Sequence, residues 1–100
     1  MKTLLHILFF NLIFIIPSVT QTLIKGKITD KKGETLIGAS ISIKGSYDGA
    51  TADTLGNFAF NTRKKDSVTL VASFIGYDNF EQRIALKSPV TELNIQLNFN

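Results

Sequence analysis

Few side chains in this sequence are equipped for chemistry. The 100 residues include a single histidine, His6, and no cysteine. His6 lies in the apolar block Leu4 to Ile16, which reads as the core of a secretory signal. A domain built from the remainder has neither imidazole nor thiol. That removes Ser/His/Asp and Cys/His nucleophilic sites and nearly all zinc sites. The carboxylates that remain are Asp30, Glu34, Asp48, Asp53, Asp66, Asp78, Glu81 and Glu92. Most fall at the ends of alternating runs or in turns, where acids cap the backbone or face water. No pair is set in the contrasting environments that acid–base catalysis needs. Asp48 and Asp53 offer too few oxygens for calcium, which takes about six or more. Gly45 to Gly49 contains glycine, but no helix follows to cradle a phosphate. The expectation is a chain that is not an enzyme, with no catalytic, cofactor-binding or metal-ligating residue.

The elements around these residues begin with the leader. Lys2 precedes the apolar block, Pro17 ends it, and Ser18 and Thr20 are small residues at the spacing a signal peptidase reads. The block is interrupted by Asn11 and falls short of the roughly 20 apolar residues of a spanning helix. It is apolar all round, so as a core helix it would need burial on every side, which so small a domain cannot supply. Residues 1–20 are therefore expected to be a cleaved signal peptide, cut before Gln21, and 21–100 one exported domain. An uncleaved membrane anchor is the alternative.

Charge points to no polyanion. The formal net charge is +3, and one of those cations, Lys2, belongs to the leader. The only basic run, Arg63-Lys64-Lys65, is followed directly by Asp66 and reads as a solvated turn. No nucleic-acid partner is expected. An exported domain without cysteine has no disulfide to staple it and rests on its core.

From Leu23 onward the sequence alternates with period two, and turn residues separate the runs. The runs are Leu23–Asp30, Ala39–Lys44, a weak one at Ala50–Asp53, Asn57–Asn61, Ser67–Ile75, Asn79–Leu86 and Leu93–Phe99. Seven short strands without a helical pattern predict an all-β sandwich. The expected inward set is Ile24, Ile28, Ile41, Ile43, Phe58, Phe60, Leu70, Phe74, Phe80, Ile84, Leu93, Ile95 and Leu97. Ser67–Ile75 is apolar on both faces for part of its length and should be a central strand. The last run is long and regular, so it is either covered by a partner strand or an edge in need of protection.

Two clusters are organised. In Thr51 to Phe58, Asp53 can bond its own turn, Gly56 can take positive φ, and Phe58 then enters the core. In Ser73-Phe74-Ile75-Gly76-Tyr77, Gly76 permits a kink and Tyr77 packs with its hydroxyl at the rim. Tyr47 and Tyr77 are the expected exposed aromatics. Asp53, Gly56, Phe58, Gly76 and Tyr77 are thus expected to be structural turn and core residues.

These pieces together resemble the carboxypeptidase regulatory-like domain. The resemblance runs through Ile24-Lys25-Gly26-Lys27-Ile28-Thr29-Asp30, Gly33 to Ala39 and Ile41 to Gly45. It continues in Asp53, Gly56 and Phe58, where Ala52 replaces the family's usual Thr, and in Ser73 to Tyr77. It covers about Leu23 to Leu97 and implies a seven-stranded, transthyretin-like sandwich that is an accessory module rather than a peptidase. Such domains commonly follow the signal peptide of TonB-dependent outer-membrane receptors, ahead of plug and barrel. The implied place is the periplasm or outer membrane of a Gram-negative bacterium. The implied partners are other envelope proteins or the rest of a receptor, with the membrane reached only through export or a receptor barrel. The alternative function is a stand-alone exported carbohydrate- or peptide-binding domain.

Overall fold

Period-two alternation becomes seven strands in a computed structural model that describes residues 20–100. They are β1 (Thr22–Asp30), β2 (Ser40–Ile43), β3 (Gly49–Thr51), β4 (Asn57–Thr62), β5 (Ser67–Ser73), β6 (Phe80–Ala85) and β7 (Val90–Leu97). Residues 1–19, and with them nearly all of the expected signal peptide, lie outside the described residues.

The strands form two sheets, one ordered β4-β1-β7 and the other β3-β2-β5-β6. All pairings are antiparallel except β1–β7, which is parallel and matches Leu23 with Val90 through Asp30 with Leu97. β5 lies between β2 and β6, the central position its two apolar faces predict. β7 pairs with β1 on one side and ends its sheet on the other.

The core sits between the layers. Ile24 and Ile28 of β1 face Ile41, Ile43, Leu70 and Ala72 of the second sheet, with Phe58, Phe60, Ile95 and Leu97 beside them, all buried. β4 shows strict alternation, with Phe58, Phe60 and Thr62 buried and Asn57, Ala59 and Asn61 exposed. The buried Thr62 hydroxyl donates to Asp48 Oδ2 at 2.7 Å, which satisfies it inside the apolar layer. Leu36, Ala39, Ala52 and Val68 complete the core from loops and strand ends.

Four residues of the expected inward set are only half-buried: Phe74, Phe80, Ile84 and Leu93. The reason is the unequal strand count. The layers come closest at β3 and β4 on one side and at β5 and β7 on the other. β6 lies beyond β5, and among the described residues no strand of the smaller sheet packs closely against it.

Candidate docking end of the sandwich

The chain passes from β1 to β2, from β3 to β4 and from β5 to β6 at one end of the sandwich, where β7 also finishes. Both organised clusters lie there. Asp53 Oδ1 accepts from the amides of Leu55 and Asn57, each at 2.9 Å. The Asp53 carbonyl accepts from Gly56 N–H at 2.9 Å, and Asp53 N–H donates to the Asn57 carbonyl at 2.9 Å. Gly56 closes the loop at φ 79°. A Cβ on Gly56 would stand 2.9 Å from both the Ile28 oxygen and Thr35 Cβ, so space as well as φ requires glycine. Phe58 then enters the core, 4% exposed.

The first connection repeats this construction. Asp30 Oδ1 accepts from Lys32 N–H at 2.8 Å and Glu34 N–H at 3.0 Å, and Gly33 N–H donates to the Asp30 carbonyl at 3.1 Å. Gly33 has φ 85°. The Asp-x-x-Gly spacing shared by Asp30–Gly33 and Asp53–Gly56 is the sequence signal for this twin. The two loops meet at Ile28, whose N–H donates to the Gly56 carbonyl at 2.8 Å and whose carbonyl accepts from Leu36 N–H at 3.2 Å.

The third connection is a turn at Phe74–Tyr77, closed by Tyr77 N–H donating to the Phe74 carbonyl at 3.1 Å, with Gly76 at φ 90°. Tyr77 is half-buried, not exposed as the sequence suggests. Its ring lies 5.7 Å from Phe74 and 5.2 Å from Phe99, the latter edge-on at 87°. Phe99 follows the last strand. Asp78 N–H donates to the Asn98 carbonyl at 2.8 Å and Asn100 N–H to the Gly76 carbonyl at 3.1 Å, which fastens that segment to the turn. Tyr77 and Asp30 line one hollow together, so this turn borders the first loop. Desolvation first, and then the nearby Asp30 and Glu34 charges, raise the Tyr77 pKa above 10.0.

The same loops present apolar tips. Ile37 is 55% exposed, Leu55 65%, Ile75 95% and Phe99 76%. These are four of the six large apolar side chains exposed among the described residues; the others, Tyr47 and Val90, lie toward the opposite end. Two hollows open between the tips. One of about 470 Å³ is lined by Asp30, Lys31, Lys32, Glu34, Tyr77 and Phe99, and one of about 400 Å³ by Gly38, Ser40, Ser73, Phe74 and Ile75. No local sequence pattern groups Ile37, Leu55, Ile75 and Phe99, because only strand connectivity brings them to one end.

Asp30 and Asp53 are engaged by backbone amides. Asp48 lies at the other end, bonded to Thr62, so the structure does not bring it to Asp53. No group of three or more His, Cys, Asp or Glu among the described residues is arranged to hold a metal ion.

The family described as CarboxypepD_reg-like domain matches residues 24–100. The TonB-dependent receptor SusC of Bacteroides thetaiotaomicron is 37% identical over 70 residues, which is 70% of this chain and 7% of the receptor. Among solved structures, a type II cohesin–X-dockerin complex from Acetivibrio cellulolyticus superposes with a TM-score of 0.66 at 19% identity, over 76% of this chain and 56% of that one. The Caf1A usher C-terminal domain superposes with a TM-score of 0.53 at 11% identity, over 78% and 98%. At such identities these two structures establish a shared β-sandwich fold and nothing more.

Proposed function

Because the chain belongs to the CarboxypepD_reg-like domain family, we propose that it is a non-catalytic interaction module of the bacterial envelope, attached to or built into a TonB-dependent receptor. The observation that carries this reading is the loop end. Four exposed apolar tips stand on loops held by backbone bonds, so the surface is preformed and loses little freedom on docking. Clustered apolar exposure rimmed by charge is the mark of a protein contact. Similarity to a receptor over 70% of the chain supports the choice of partner, and the same similarity supports an envelope location.

A photo-reactive amino acid at Ile75 tests the proposal in the native host. Cross-links to a TonB-dependent receptor polypeptide, lost when the probe is moved to the exposed Asn61 on the outer face of β4, are expected. Cross-links confined to unrelated proteins, or equal yields from both positions, overturn it.

A further inference from the structure

The smaller sheet is one strand short of the larger, and the shortfall lies beside β7. Along β5 the inward residues Val68, Leu70 and Ala72 are buried. Their partners on β6 are Ile84, Gln82 and Phe80. Gln82 is exposed and the other two are half-buried, as is Leu93 of β7. An apolar row therefore borders an open seam between β6 and the free edge of β7.

Among the described residues nothing guards that edge. β7 has eight residues and contains neither Lys nor Pro, the usual protections. Its one charge, Glu92, points to the outer face, 3.9 Å from Lys25 Nζ on the neighbouring strand. The other three open edges differ. β4 is likewise uncharged, but its inward Phe58, Phe60 and Thr62 are already buried, so no half-covered apolar row borders it. β3 has only three residues, and β6 carries two outward charges, Glu81 and Arg83, against the single one of β7. Past the end of β7 the chain supplies its own strand partner, where Tyr77 bridges Phe99 antiparallel. Pairing then stops as the chain turns away into β6.

We propose that the outer edge of β7 accepts one extended segment of another protein, about as long as β7, with apolar residues alternating with polar ones. Its backbone continues the sheet, its apolar side chains cover Phe80, Ile84 and Leu93, and a polar residue meets Gln82. Steric fit selects a lone strand over a second copy of this chain. In a β7–β7 dimer the partner's β7 would bring its own β5 into the layer that β6 already fills. A lone strand needs room on the β7 side only, about 4.8 Å of added width.

A phage-displayed library of randomised octapeptides, panned on the protein purified as exported, tests this. Enriched peptides should alternate apolar and polar residues, and should slow amide hydrogen exchange along Val90–Leu97. Gln82→Arg, a change at an exposed position of the seam, should weaken them about tenfold or more, since it sets a charge beneath the added strand. Glu81→Gln, on the outer face of the same strand, should leave binding unchanged. Any of four results overturns the proposal: no enrichment, slowed exchange only at other strands or at the Ile75–Phe99 end, equal weakening by both variants, or self-association of the protein through β7.

Discussion

Gly26 of β1 lies flush against the backbone carbonyl of Leu93 on β7. A Cβ at Gly26 would overlap that oxygen and come within 3.1 Å of Phe58 Cζ. The parallel pairing of the first and last strands thus depends on a missing side chain. Gly26→Ala should destabilise the fold by about 3 kcal/mol, the upper range for forced overpacking. Urea unfolding checks this: the midpoint should fall, while an unchanged midpoint would mean that β1 and β7 are not so close.

Gly33 and Gly56 share a backbone conformation but not an environment. An added Cβ at Gly33 meets nothing within 4 Å, whereas at Gly56 it meets Ile28 and Thr35. Gly33→Ala should cost about 1 kcal/mol for the left-handed backbone alone. Gly56→Ala should cost distinctly more. Equal costs in thermal or urea unfolding would refute the crowding at Gly56.

Asp53 and Asp30 each hold two amides through one carboxylate oxygen. Replacing either by Ala should cost about 1–2 kcal/mol, and replacement by Asn, which keeps an acceptor oxygen, much less. Hydrogen exchange at Leu55 and Asn57 should quicken in Asp53→Ala and stay slow in Asp53→Asn.

Tyr77 links stability to pH in the alkaline range. Its pKa is raised in the folded state, first by desolvation and then by Asp30 and Glu34. The fold therefore favours the neutral phenol, and this contribution is complete below the unfolded value of about 10. It is lost as pH rises from there through the folded pKa. The difference between ultraviolet titrations of the protein and Tyr77→Phe should show a midpoint above 10. A midpoint at or below 10 would contradict the contact with Asp30.

Legibility from sequence followed the range of the interactions involved. β4 was plain, because Phe58 and Phe60 alternate with Asn57, Ala59 and Asn61 and a buried layer lies opposite. β6 alternates as well, yet Phe80 and Ile84 are half-buried, because burial depends on what faces a strand and alternation does not report that. Nothing in β1 or β7 alone announces that they pair in parallel. The Asp53 loop was readable from its Asp-x-x-Gly spacing. The docking end was not, since Ile37, Leu55, Ile75 and Phe99 come to one end only through the order of the strands. Tyr77 is shielded by Phe99, from the far end of the chain, which local reading misses.

The parallel β1–β7 ladder also governs how the domain bears load. Thr22 opens β1 at one end of the sandwich and Leu97 closes β7 at the other. Tension applied through the two chain ends therefore pulls these neighbours past each other along their length. All the bonds between them resist together, where an antiparallel hairpin pulled from its open ends would unzip one bond at a time. A domain wired this way can pass a pull along its polypeptide and stay folded.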